Sequence, residues 1–342
     1  MKTLNWLTDD EWDVEFASRD REDGPLYDGQ HALFETIPQN ATPALFSGGL
    51  DSCCGLAIDS AQENVAPISI YTNSRMRRAQ NDVLAALKAS SSHSIDPLTY
   101  RIQLAGGRKY GKRESSQRTR GFLFLSVGIA TSWAIDSNVL RVYENGVGAL
   151  NIPYLKSQFG SQATRSMHPL TLLQMSEIAS KVASGGFTIQ APYLGTTKGD
   201  LIGMVPQSAD PALAASISCD SGFSARSSYE CGSCTSCLLR RQSLQSAGRG
   251  YLDDSSRYRR QTKSKDPGLS AMLWQVSLLE QCLAQAHPWR ALVSQFPSLL
   301  KASHILDPND LVRLYDRYVQ EWRVAGDALG VDVTTWQRRG MT

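Results

Sequence analysis

The chain has 342 residues, room for about two domains, and carries 35 Lys and Arg against 33 Asp and Glu for a net charge of +2. Near-neutrality excludes a global electrostatic grip on nucleic acid, so nucleic acid is not expected as a partner. No run of about 18 apolar residues is present to span a membrane, and the opening MKTLNWLTDDEW lacks the apolar stretch of a secretory signal. Four of the seven cysteines cluster, which points to metal in a reducing compartment rather than a disulfide scaffold. A soluble cytoplasmic protein is expected.

Taken in chain order, residues 1–28 hold nine acidic against three basic side chains. They read as a solvated acidic arm, and residues 1–40 as an N-terminal extension. From about 40 to 205 short β-rich runs alternate with helical ones. ALF at 44–46 stops at Ser-Gly-Gly, and residues 51–62 read as a helix. PISIYT (67–72) is a strand, 75–91 a helix, TYRIQL (99–104) a strand, 118–136 a long helix and NVLRVY (138–143) a strand. A helix over 168–184 leads into a strand at FTIQAP (187–192). This alternation predicts a parallel sheet covered by helices on both faces, with ligands beyond the carboxyl ends of the strands.

The cysteine cluster occupies 219–237. The polar, basic stretch 247–268 reads as a linker or surface loop. Beyond it the periodicity is helical: Asp307-Pro308 starts a helix on which Leu311, Leu314, Tyr315, Tyr318, Val319 and Trp322 recur at core spacing. The expected organisation is therefore an extension (1–40), an α/β domain with the cysteine site (41–248), and a linker with a helical C-terminal domain (249–342).

Phe46-Ser47-Gly48-Gly49-Leu50-Asp51-Ser52 closes a strand and opens a helix. Two glycines let the backbone approach an anion, and the helix amides and dipole then face it. Ser47 and Ser52 add hydroxyl donors. Asp51 would repel a bare phosphate but suits a helix start or a bound Mg²⁺. An ordinary serine-capped turn is the bland alternative. The string SGGLDS resembles the pyrophosphate-binding loop of the PP-loop ATP pyrophosphatase superfamily. That likeness implies the adenine nucleotide alpha hydrolase-like fold, ATP with Mg²⁺, cleavage between the α- and β-phosphates, and a cofactor site made by Ser47, Gly48, Gly49, Leu50, Asp51 and Ser52.

Cys219, Cys231, Cys234 and Cys237 offer four thiolates at a spacing that suits a closed tetrahedral Zn²⁺ site. An iron–sulfur cluster and disulfides are the alternatives. Cys53, Cys54 and Cys282 lie in apolar settings and read as packing residues. Together the loop and the cluster resemble the 7-cyano-7-deazaguanine synthase (QueC) family. Further likeness lies in Arg240 after the cluster, the Ser218-Cys219 pair, and Pro192-Tyr193-Leu194-Gly195-Thr196-Thr197-Lys198-Gly199-Asp200, similar to a proline–leucine–threonine–lysine–acid segment of that family.

The resemblance implies adenylation of 7-carboxy-7-deazaguanine and attack by an amine, with Ser47, Asp51, Ser52 and Lys198 catalytic. In the ordinary enzyme the amine is ammonia and the product the nitrile. QueC-like proteins with added segments also occur in anti-phage systems such as Qat and type IV CBASS. There the likeness implies conjugation of the deazaguanine to the N-terminus of a partner protein. The chain departs from the family at Tyr71-Thr72-Asn73-Ser74-Arg75 and at Glu144 to Pro153, where an Asp-Cys loop is missing.

Within the basic segment 108–120, Arg118 and Arg120 are candidates for ATP phosphates or the substrate carboxylate; a solvated loop is the alternative. Glu144, with Asn145 and Gly146, is a candidate for the guanine-like edge or for a turn cap. His168, before Pro169, reads as structural. Two other functions stay open: a PP-loop enzyme acting on tRNA, and a non-catalytic zinc module that senses nucleotide.

Overall fold

The computed structural model describes residues 2–15, 40–102, 118–154, 164–220, 229–260, 266–326 and 329. Helix α1 (Lys2–Thr8) is followed by β1 (Thr42–Phe46), α2 (Leu50–Ser60), β2 (Val65–Tyr71), α3 (Ser74–Ser90), β3 (Leu98–Arg101), α4 (Arg120–Ala134) and β4 (Val139–Val142). Then come α5 (Gly146–Leu150), α6 (Pro169–Val182), β5 (Thr188–Gln190), α7 (Lys198–Met204), α8 (Asp210–Ala215) and α9 (Thr235–Ser246). The C-terminal region holds α10 (Pro267–Leu283), α11 (Pro288–Gln295), α12 (Leu299–Ala302) and α13 (Pro308–Gly326).

The five strands form one all-parallel sheet in the order β3-β2-β1-β4-β5. Strands buried on both faces read as nearly continuous apolar runs, as β2 does. Alternation along β1 sends Ala44 and Phe46 into a core shared with α2, α3 and α7. Leu45 faces the other layer, where Leu125 and Ile129 of α4 meet Leu172 and Met175 of α6. The chain moves outward from β1 to β3, then returns to the other side of β1 for β4. The crevice at the carboxyl ends of β1 and β4 is thus the switch point where such sheets bind ligands. The expected parallel α/β sheet with helices on both faces is what the chain builds.

The C-terminal helices add a third core, in which Leu314, Tyr315, Tyr318 and Trp322 of α13 pack with α10 and α11. Val147 and Leu150 of α5 and Leu238 and Leu239 of α9 join the same core, so this region is seated on the α/β part.

Two readings change. Residues 2–10 of the acidic arm do not stand free in solvent but dock through one face, although Asp9 and Asp10 are exposed. Leu7 is buried, the Trp6 indole donates to Thr171 Oγ1 (3.0 Å), and Arg165 both covers the Trp6 ring and pairs with Asp9 (2.7 Å). Apolar anchors and matched arginines overcome the charge that composition alone registers. The described part of the 247–268 stretch, up to residue 260, is not a free linker either: Tyr258 is buried against the cysteines, and Arg249 pairs with Asp210 at 2.7 Å. Residues 16–39, 103–117, 155–163, 221–228 and 261–265, which include the basic run 108–113, lie outside the described residues. Among the described residues no helix is long and apolar enough to cross a membrane.

Candidate functional site

After β1 the chain turns on Gly48, whose φ of +80° is a left-handed conformation that glycine adopts freely. Gly49 then stands at the N-cap of α2 with no side-chain hydrogen bond capping the first turn. Ser47 Oγ lies 3.0 Å from Ser52 Oγ and accepts from the Gly49 amide at 3.2 Å. Behind the loop, Gln80 of α3 is buried. Its Nε2 lies 3.2 Å from the Ile70 carbonyl oxygen and 3.4 and 3.5 Å from those of Ser47 and Phe46. The Ile217 amide donates to the Gly48 carbonyl at 3.1 Å.

Asp51 occupies the first turn of α2. One carboxylate oxygen forms an ion pair with Lys198 Nζ at the start of α7, and the other accepts from Asn145 Nδ2 at 3.1 Å. Glu144, at the end of β4, shares this pocket. Burial and the neighbouring Asp51 charge push its carboxyl up to about 8 against the opposing pull of Lys198. Burial would depress the Lys198 ammonium, but Asp51 and Glu144 hold it above its ordinary value. Two carboxylates and one ammonium in a half-closed cleft form the kind of perturbed cluster that marks functional sites.

A cavity of about 590 Å³ opens here, lined by Ser47, Gly49, Leu50, Asp51, Arg120, Glu144 and Lys198 together with polar groups of later segments. A smaller apolar lobe of about 170 Å³ adjoins it, lined by Phe46, Ile68, Ile70, Met76, Phe124 and Val142, with Ser52 at its edge. Ser47, Arg120, Glu144 and Met167 border both lobes. Arg120 stacks over the Phe124 ring at 4.8 Å.

The structure gathers most of the expected residues, but not all in the expected way. Arg118 faces the N-terminal segment, where it pairs with Asp10 at 3.1 Å and donates to the Thr8 carbonyl. Asn145 and Gly146 stand behind the cavity: Asn145 holds Asp51, and the Gly146 amide donates to the Thr196 carbonyl at 2.8 Å. His168 caps α6, its Nδ1 accepting from the Leu170 amide at 3.2 Å.

Sequence reasoning missed Gln80, Asn151, Tyr154, Ser166, Asp220 and Ser236. Gln80 leaves a signal, a lone polar residue on the apolar stripe of α3 beside Met76, Val83, Leu84 and Leu87. Asp220 directly follows a candidate metal ligand. The others reach the cavity only through tertiary folding.

The four clustered cysteines place their sulfurs within 4.8 Å of one another, with Cys231 and Cys237 Sγ 3.9 Å apart. A tetrahedral zinc with bonds of about 2.3 Å requires sulfurs roughly 3.8 Å apart, so the set fits. The Cys231 amide points at Cys219 Sγ (3.2 Å) and the Cys234 amide at Cys231 Sγ (3.3 Å), as suits thiolates. No disulfide joins any of the seven cysteines in the structure. The Glu230 carboxylate accepts from the Ser218 and Cys219 amides (3.2 and 3.1 Å) and from Arg257 (2.7 Å). Buried Arg240 bonds Ser216 Oγ at 2.7 Å and the Leu213 carbonyl at 2.8 Å. The strand of chain between these anchors carries Ile217, so the cysteine knot and the phosphate-type loop are mechanically joined.

A family model described as queuosine biosynthesis protein QueC matches residues 119–248, a span that holds Glu144, Lys198 and all four clustered cysteines. A 7-cyano-7-deazaguanine synthase of Myxococcus xanthus (strain DK1622) is 28% identical over 236 residues, covering 63% of this chain and 95% of the relative. Over these stretches the chain is similar to QueC proteins. The Lys198 segment and the cysteine knot lie inside the matched span, and the turn at 47–52 lies before it. The helical region after residue 248 lies outside the family match.

Proposed function

We propose that this QueC-like chain is an ATP-dependent enzyme that activates the carboxylate of 7-carboxy-7-deazaguanine as a mixed anhydride with AMP and then forms a carbon–nitrogen bond. A carboxylate resists amines because its leaving group would be oxide; an acyl adenylate supplies a good one. The observation that carries this reading is the single cavity in which Ser47, Gly49, Asp51, Arg120, Glu144 and Lys198 converge. The amides and hydroxyls of residues 47–52 hold the departing pyrophosphate, and Lys198 and Arg120 neutralise its charge. Asp51 and Glu144 have the oxygen donors for Mg²⁺, with nucleotide phosphates completing its shell. That ion would supply charge neutralisation on the phosphates. The apolar lobe suits adenine, and the polar end near Asn151, Tyr154 and Ser166 suits the deazaguanine. Zn²⁺ in the cysteine knot is structural.

The test is incubation with MgATP and 7-carboxy-7-deazaguanine. Equal amounts of AMP and pyrophosphate, dependent on the deazaguanine, are expected. ADP formation, or nucleotide turnover indifferent to the deazaguanine, rejects the proposal.

We further propose that the amine is the N-terminus of a partner protein, within an anti-phage system. Support comes from the segments beyond the relative's alignment, which leaves more than a third of the chain uncovered, and from the altered stretches at 71–75 and 144–153. The intact mass of proteins encoded beside it is expected to rise by one deazaguanine acyl group. Rapid nitrile formation with ammonium, without such a mass gain, assigns ammonia as the amine instead.

A further inference from the structure

Lys198 is the first residue of α7, a helix of only seven residues. So short a helix has little stability of its own, and the place of its first residue depends on its cap. Thr197 and Asp200 form a capping box: Thr197 Oγ1 accepts from the Asp200 amide at 3.0 Å, and the Thr197 amide donates to Asp200 Oδ2 at 3.1 Å. Both members are also gripped from outside by α13. The Thr197 hydroxyl donates its proton to Glu321 Oε1. Arg317 Nε donates to Asp200 Oδ2 at 2.8 Å, and Arg317 Nη2 to the Gly195 carbonyl at 2.5 Å. The second oxygen of Glu321 accepts from Gln242 at 3.0 Å.

The approach is close. A Cβ at Gly199 would stand 2.3 Å from Glu321 Oε1, so glycine is needed beside Lys198 for the carboxylate to reach Thr197. Apolar burial through Tyr315, Tyr318 and Trp322 already docks α13. A partly buried carboxylate adds desolvation cost to that docking unless its bonds are well satisfied. Its partners are the cap of the lysine-bearing helix. α13 also backs the other partner of Asp51: Leu314 packs with Val147 and Leu150 of α5, the helix that Asn145 caps.

We propose that Glu321 and Arg317 are positioning residues for Lys198, so that the C-terminal helical region sets the Lys198–Asp51 pair through the Thr197–Asp200 cap. This rests on the reading of Lys198 and Asp51 as part of the phosphate site. The cysteine-bearing, family-matched part of the chain would then depend for its catalytic geometry on a region outside that match. Whatever displaces α13 would detune the site.

The test compares full-length Glu321→Ala, Glu321→Gln and Arg317→Ala with Arg323→Ala. Arg323 pairs α13 with Glu280 of α10 at 2.8 Å and does not touch the cap. One readout is the rate at which an amine-acylating reagent labels Lys198, followed by peptide mass spectrometry; the other is deazaguanine-dependent pyrophosphate release. Glu321→Ala and Arg317→Ala are expected to raise Lys198 labelling several-fold and to lower kcat about tenfold with little change in KM for ATP. Glu321→Gln recovers most of the loss, and Arg323→Ala shows neither effect. In a Lys198→Ala background Glu321→Ala adds no further loss. Unchanged labelling, equal effects of Arg323→Ala, or additive losses with Lys198→Ala overturn the proposal. If the wild type releases no pyrophosphate, the proposed function fails while the labelling comparison still decides the positioning role.

Discussion

Asp51, Lys198 and Glu144 come from three separate segments and carry charges that only make sense together. Lys198 is held charged by two carboxyls, while Glu144 is pushed toward its neutral form by burial and by Asp51. Burial raises Glu144 most, and Asp51 adds to it through its charge and a side-chain hydrogen bond, so removing the Asp51 charge removes one of these effects. Asp51→Asn is therefore expected to bring the Glu144 midpoint down from about 8, read by carbon NMR of the labelled carboxyl. The same variant is expected to slow pyrophosphate release about 100-fold, the usual scale for losing a positioned group at a site of charge development. His168 shows the opposite case of a basic group. Burial, helped by Arg165, lowers its pKa from 6.5 to about 4. Its neutral form is the folded one, so its stabilising contribution is full above pH 6.5 and falls as the pH drops toward 4, where the unfolded chain takes up the proton. The loss is on the order of 3 kcal/mol. His168→Asn, which keeps a cap for α6, is expected to flatten that part of a urea-unfolding pH profile relative to wild type.

The segment from Ser216 to Cys219 is the element that joins the two sites. One end is held by Arg240 and Arg257, the other carries Cys219 of the cysteine cluster, and between them Ile217 bonds the loop carbonyl of Gly48. Zinc binding is folding energy for such a loop. Cys234→Ser, or prolonged chelation, is expected to release about one zinc per chain, measured by elemental analysis, and to lower the melting temperature. Because Gly48 is tethered to the same segment, ATP affinity measured by calorimetry is expected to weaken as well. Retention of full ATP affinity without zinc would show that the tether does not transmit. Helices were legible in advance where a periodic apolar stripe meets a cap, as in α3 and α6. The fold-back of residues 249–260 was not. Its contacts are Tyr258 against the cysteines and Arg249 on Asp210, pairings between distant residues that a polar composition conceals.

At the scale of the whole molecule, α5 and α9 contribute residues to the core of α10, α11 and α13, and α9 also places Leu244 in the core of α2 and α3. We propose boundaries at 40 and 248 as divisions of the sequence; thermodynamically the parts are expected to unfold together. Trp322→Ala, removing a fully buried ring from the third core, should destabilise by about 3–5 kcal/mol. It should shift one calorimetric transition rather than split it. A separate low-temperature transition that left the Lys198 environment unchanged would argue for independent units.

The residues themselves determined the parallel α/β sheet, the glycine turn at 47–52 and the four-cysteine knot. Each of these is written in local spacing: apolar runs of strand length, two adjacent glycines between a strand and a helix, thiols three apart. Tertiary structure alone decided that Arg120 enters the cavity while Arg118, two residues away, clamps the N-terminal helix. It also decided that Asn145 supports Asp51 from behind, and that Glu321, 124 positions beyond Thr197, holds the residue that caps the helix of Lys198. The physical reason is range: turns, strand alternation and helix periods act over a few residues, whereas the pairing of buried charges depends on which elements the sheet order and the third core bring face to face.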